Sequence, residues 1–135
     1  MPISKEQSLS VRAEQDVVTA RQLVRQWAEQ LRFSLVDQTK LVTAASELAR
    51  NTVIYGGGGT MRITALTEGA RNGLRLVFED EGPGIPDVEL ALKDGYTTGS
   101  GLGLGLGGAK RLANEFEIHS KPGLGTRVAI TRWKP

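Results

Sequence analysis

Apolar positions in the first half of the chain recur with a helical period twice. Val17, Ala20, Val24, Trp27 and Leu31 fall three or four residues apart, so they share one face of a helix expected over about Glu14–Leu31. Trp27 lies on that stripe and is read as a core residue. A second helix is expected over about Leu35–Ile54, with Leu41, Ala45, Leu48 and Thr52 in its inner stripe. Gly56–Gly59 stop it, because glycine accepts the left-handed conformation of a helix C-terminal cap. With no helix following them, these glycines read as a cap and flexible turn rather than a phosphate loop.

Elsewhere the period is two. Gln7–Val11 reads as a short first strand. Thr60–Leu66 and Leu74–Glu79 read as a hairpin around a turn containing Gly69, Asn72 and Gly73. Phe116–Ser120 and Thr126–Trp133 read as a second pair of strands, joined by a Pro-Gly-Leu-Gly turn. Between the pairs, Asp80–Gly108 is irregular and rich in glycine, with a helix expected from near Leu104 to near Asn114. The order β-α-α-β-β-loop-α-β-β favours hairpins over βαβ units. The expected class is therefore α+β, a two-layer sandwich of a mostly antiparallel sheet with helices on one face.

Composition narrows the chemistry. A length of 135 residues fits a single domain, 1–135, able to bury a core without disulfides or a metal. The sequence has no Cys, which excludes disulfides, thiolate zinc sites and thiol catalysis. Its one histidine, His119, excludes an imidazole cluster and is read as a half-buried strand residue. The net charge is +2, with basic residues scattered, so nucleic acid is not an expected partner. Neither a signal peptide nor an apolar run of roughly 18 residues is present, so a cytoplasmic protein without membrane contact is expected.

Three segments carry candidate chemistry. Glu47 and Asn51 stand four apart within the second helix, one turn above each other on one face. Asn is a weak helix former there, because its amide competes for backbone hydrogen bonds. Asp80 follows a strand and opens Asp-Glu-Gly-Pro-Gly, where Gly82 and Gly84 allow a sharp turn. An ionised Asp only accepts hydrogen bonds, which suits the exocyclic amino group of adenine and rejects the keto oxygen of guanine. Gly99–Gly108 alternates glycine with leucine just before a helix, so its backbone can approach phosphate oxygens at a positive dipole end.

Gly103-x-Gly105-x-x-Gly108 matches a dinucleotide fingerprint in form only, since Asp94–Ser100 before it reads as loop rather than strand. The P-loop pattern and the eukaryotic-type kinase signatures are missing.

Taken in order, the segments resemble the nucleotide-binding boxes of the GHKL (Bergerat-fold) ATPases. Glu47–Asn51 resembles the N box, and Asp80-x-Gly82-x-Gly84 the first glycine box. Gly101-x-Gly103-Leu104-Gly105-Leu106 resembles the second, and Gly125-Thr126-Arg127-Val128 the last. The resemblance implies that ATP and Mg²⁺ are bound, with Asn51 helping to hold the metal and Asp80 taking the adenine amino group. It implies that Thr126 supports the adenine through water, that Gly101, Gly103, Leu104, Gly105 and Leu106 face the phosphates, and that Glu47 is the general base. Lys93 and Arg127 are candidates for contact with the γ-phosphate, although each reads first as solvated surface charge.

The short chain and the lack of a dimerising helical domain direct the resemblance toward the small serine/threonine kinases of bacterial partner switching. Gly103–Ile118 resembles the RsbT (stressosome switch kinase) type more than the related RsbW and SpoIIAB anti-sigma factors. Such kinases phosphorylate STAS-domain proteins and, when released, activate a PP2C-type phosphatase. The alternative implied is an anti-sigma factor with serine kinase activity that sequesters a sigma factor.

Overall fold

The structure, a computed structural model, describes residues 3–85, 88–92 and 105–135. Its elements are β1 (Ile3–Val11), α1 (Glu14–Gln30), α2 (Leu35–Ile54), β2 (Gly59–Glu68), β3 (Arg71–Asp80), α3 (Val88–Ala91), α4 (Gly105–Arg111), β4 (Glu115–Ser120) and β5 (Thr126–Trp133). The five strands form one sheet in the order β1-β2-β3-β5-β4, with every neighbouring pair antiparallel. The α+β expectation, helices stacked on an antiparallel sheet, is the observed fold.

Alternation along the strands decides which side chains meet the helices. Met61, Ile63 and Ala65 of β2, Leu74, Leu76 and Phe78 of β3, and Val128 and Ile130 of β5 join one buried cluster. The helices contribute Val17, Ala20, Val24 and Trp27 from α1, Leu41, Ala45 and Leu48 from α2, and Leu106 and Ala109 from α4. The other sheet face is mixed, with Leu66, Val77, Ala129 and Trp133 buried among polar side chains. There the Arg75 guanidinium donates to the Thr131 hydroxyl and the Thr64 hydroxyl donates to Glu6. Among the described residues no helix is long and apolar enough to cross a membrane.

The elements differ from the expectation where tertiary contact overrides local pattern. Strand β1 begins at Ile3, well before Gln7, because its exposed residues Lys5, Glu6, Gln7 and Ser8 are held by pairing to β2 rather than by apolar alternation. The Lys5 ammonium also sits 4.7 Å over the buried Trp27 ring. Gly73, expected in a turn, lies inside β3 opposite Trp133. The indole occupies the space a side chain at position 73 would need.

Within the segment expected to be irregular, α3 forms a single turn, too short to leave a periodic signal. Helix α4, expected from near Leu104 to near Asn114, runs Gly105–Arg111, with Gly107 and Gly108 buried in it beside α2.

The α1–α2 connection is tight. The Phe33 N–H donates to the Ala28 carbonyl at 3.0 Å, and Arg32 takes a left-handed conformation at φ 62°. Ser34 then caps α2, its hydroxyl accepting from the Asp37 N–H at 3.1 Å. Asp37 is itself buried and receives two hydrogen bonds from the Arg132 guanidinium, at 2.7 and 3.2 Å. Arg132 also donates to the Leu112 carbonyl, so one side chain of β5 ties together the start of α2 and the end of α4.

Candidate functional site

The site is assembled where the C-terminal end of α2 meets the ends of β3 and β5. Glu47 is buried at 3% exposure on α2, and its carboxylate receives a long, 3.5 Å contact from Arg50. Asn51 follows one turn later and is half-buried. Among the described residues its side-chain amide makes no hydrogen bond, leaving the amide oxygen available as a ligand.

The backbone of Asn51 starts the link to the rest of the site. Its carbonyl accepts from the N–H groups of Tyr55 and Gly56, at 2.9 and 3.1 Å. This closes the helix and directs Gly56 toward β3. A Cβ on Gly56 would lie about 2.5 Å from the Asp80 Oδ2, so the glycine backbone rests directly on the carboxylate. The next neighbour is Gly82, where a Cβ would stand 2.7 Å from the Gly56 carbonyl oxygen. Gly56 is therefore more than a cap. Together with Gly82 it replaces the flexible turn expected at Gly56–Gly59 with a close backbone crossing.

Asp80 ends β3 opposite Thr126 of β5, on the face that carries the core. Its Oδ1 accepts from the Gly82 N–H at 2.9 Å and from the Thr126 N–H at 3.2 Å. Among the described residues Oδ2 accepts nothing. One oxygen thus anchors the side chain, and the other is left as a half-buried acceptor.

Gly84, at φ 80°, carries the loop across the β4–β5 turn, where a side chain would strike the Lys121 carbonyl. The Gly123 N–H donates to the Pro83 carbonyl at 2.7 Å. Ser120, which sequence reasoning missed, completes the crossing. Its hydroxyl accepts from the Ile85 N–H at 2.7 Å, lies 3.2 Å from the Gly125 carbonyl and 2.8 Å from the Thr126 hydroxyl. The available signal was parity: Ser120 falls on the core-face positions of β4 with Phe116 and Ile118, where a polar residue needs a partner.

Gly105 and Leu106 begin α4, with Leu106 buried in the core beside α2. Gly101, Gly103, Leu104 and Lys93 lie outside the described residues. Arg127 points to the opposite sheet face from Asp80 and Thr126. It pairs there with Glu79 and His119 and lines a small cleft with Arg75 and Glu117. Alternation along β5 therefore removes it as a γ-phosphate candidate. His119 shares that outer face and is exposed, rather than half-buried as expected.

No cluster of three or more acidic or imidazole side chains exists among the described residues. The Asn51 amide oxygen is a group that could hold Mg²⁺, since that ion commonly takes one or two protein oxygens and completes its shell with phosphate and water.

Residues 36–134 match the family of histidine kinase-, DNA gyrase B-, and HSP90-like ATPases. The serine/threonine-protein kinase RsbT of Bacillus subtilis is 45% identical over 123 residues, covering 91% of this chain and 92% of that protein. An anti-sigma F factor of Thermoanaerobacter is 32% identical over 120 residues, covering 84% and 82%.

Among solved structures, the RsbU and RsbW domains of a Mycobacterium tuberculosis protein align with a TM-score of 0.64 at 20% identity. That alignment covers 98% of this chain and 34% of the longer one. The mycobacterial sensor histidine kinase MprB aligns with a TM-score of 0.55 at 17% identity, covering 96% of this chain and 97% of that one. At such identities the two structures speak for the fold alone. With the family matched across most of its length and a relative at 45% identity, the chain belongs to the histidine kinase-, DNA gyrase B-, and HSP90-like ATPases.

Proposed function

We propose that this chain is an ATP-dependent serine/threonine protein kinase that phosphorylates a STAS-domain partner in a bacterial stress-response switch and, once released, activates a PP2C-type phosphatase. The enzyme class is that of its 45%-identical relative. The observation that carries the ATP site is the half-committed Asp80 carboxylate. With Oδ1 held by two backbone N–H groups, Oδ2 accepts nothing among the described residues and is available to a donor on the base. Adenine has that donor, whereas guanine places a keto oxygen there.

The remaining residues take the roles that the family resemblance implies. Asn51 offers its amide oxygen to Mg²⁺, which when bound neutralises charge on the phosphates during transfer. Glu47, one turn before Asn51, accepts the proton of the attacking serine or threonine hydroxyl. The hydroxyl oxygen then bonds to the γ-phosphorus, the bond to the β-γ bridging oxygen breaks, and ADP leaves with that electron pair. A positioned carboxylate base contributes about 10²–10⁴-fold in such a step. The glycine-rich segment 101–106 supplies backbone N–H groups to the phosphates.

Labelled ATP with a STAS-domain protein tests this reading. Transfer to the partner is expected, falling at least about a hundredfold in Glu47→Ala. Transfer at the normal rate in that variant would remove Glu47 as the base. A second reading follows from the anti-sigma F relatives: a kinase that also sequesters a sigma factor. Co-purification with a sigma factor in place of a STAS protein would favour it.

A further inference from the structure

We propose that the Ser120 hydroxyl sets the hydrogen-bond polarity of the base site, holding the Thr126 proton inward so that only acceptors face the nucleotide base. The inference rests on the adenine assignment of Asp80 made above and names a second determinant of the same specificity.

The argument is a count of protons and lone pairs. Ser120 has one proton to donate and two lone pairs to offer. The Ile85 N–H, at 2.7 Å, can only donate, so it takes one lone pair. The Gly125 carbonyl, at 3.2 Å, can only accept, so it takes the proton. The Thr126 hydroxyl, at 2.8 Å, can do either, and the lone pair still open on Ser120 leaves it the part of donor. This is the arrangement in which every group around Ser120 is satisfied. With its proton held on Ser120, Thr126 has only lone pairs left for the cleft.

Position makes that polarity matter. Thr126 pairs directly with Asp80 across β3 and β5 and with Ser120 across β4 and β5, so all three occupy one face at one end of the sheet. The Thr126 N–H holds Asp80 Oδ1, while Oδ2 accepts nothing among the described residues. Asp80 Oδ2 and the Thr126 lone pairs then lie on the same face of the sheet. At the 6-position of a purine they accept from an amino group, directly or through a water, and oppose a keto oxygen. Ser120 touches neither the base nor the phosphates in this scheme. It is a positioning residue that also anchors the loop at Ile85.

Substituting Ser120→Ala frees the Thr126 hydroxyl to rotate and donate toward the cleft. The readout is discrimination between ATP and inosine triphosphate, measured by calorimetry on the full chain. ATP affinity is expected to fall about fivefold to tenfold, with inosine triphosphate affinity unchanged or raised, so their ratio drops about tenfold. Ser120→Thr, which keeps the hydroxyl, should restore the ratio. A ratio within twofold of the unaltered chain in Ser120→Ala would overturn the inference, as would equal weakening of both nucleotides.

Should Ser120→Ala fail to fold, Thr126→Val removes the same acceptor and must lower the ratio in the same direction. An unchanged ratio in that variant is equally fatal. Asp80→Asn separates the two levels. If it leaves ATP affinity intact, the adenine assignment itself fails. If it destroys discrimination while Ser120→Ala and Thr126→Val do not alter it, only the role of Ser120 falls.

Discussion

Gly56 rests its α-carbon against the Asp80 carboxylate, with no room between them for a methyl group. Since Asp80 Oδ1 is held by two N–H groups, the side chain cannot swing aside without losing them. Gly56→Ala should therefore act at the base site although position 56 carries no chemistry of its own. Forcing a methyl into a filled contact costs about 1–3 kcal/mol. ATP affinity is expected to fall at least about tenfold, with a lower Tm in the nucleotide-free protein. Calorimetry and thermal melting check both. Unaltered affinity would mean that Asp80 keeps its pose without this contact.

Asp80→Asn tests the acceptor itself. The amide oxygen can take over Oδ1 and its two N–H partners, which fixes the amide nitrogen at the Oδ2 position. A donor then faces the adenine amino group, and the pair repels. ATP binding should weaken by about a hundredfold or more, with little change in Tm, because the anchoring bonds survive. Wild-type affinity for ATP in this variant would refute the adenine assignment.

Much of this site was legible because its signals are local. Glu47 and Asn51 share a helix face by spacing alone, and Asp80 announces itself by following an apolar strand and preceding two glycines. The sheet and its hairpins followed from period-two alternation.

Four things were not legible, each for a physical reason. Ser120 acts through Ile85, 35 residues away in sequence, and Gly56 through Asp80, so neither contact leaves a periodic trace. The start of β1, Ile3–Glu6, is defined by backbone pairing rather than by burial. Arg127 could be placed only once the register of β5 against β3 was known, because a shift of one residue exchanges the two sheet faces.

The Asp37–Arg132 pair makes stability depend on pH. Arg132 hydrogen bonding, together with its charge, holds the Asp37 carboxyl below its ordinary value despite the opposing effect of burial. A lowered folded pKa means that the unfolded chain binds the proton first. The contribution is therefore complete above the unfolded pKa of about 3.9 and is lost as pH falls through the folded value. Asp37→Asn should lower stability by about 2 kcal/mol near neutral pH, since it breaks a pair whose side chains are only 11% and 13% exposed. The gap between the two proteins should narrow progressively below about pH 4. Thermal melts from pH 7 down to the acid limit check this. A gap independent of pH would assign the loss to packing instead of charge.

Arg32 is the one described residue other than glycine with a positive φ, at 62°. It occupies the position after the α1 cap where glycine is usual, with the Phe33 N–H closing back to the Ala28 carbonyl. Left-handed backbone costs an L-residue roughly 1–2 kcal/mol, through the approach of Cβ to the following carbonyl. Glycine avoids that strain but loses more conformational freedom on folding, by about 0.5–1 kcal/mol. The strain outweighs the entropy by a small margin, and Arg32 is exposed, so its side chain gives up little burial. Arg32→Gly should raise stability by about 0.5–1 kcal/mol and leave ATP affinity unchanged, because the turn lies at the opposite end of α2 from Asn51. Chemical denaturation gives the first quantity and calorimetry the second. A destabilised Arg32→Gly would show that the guanidinium makes a contribution larger than the backbone strain it imposes.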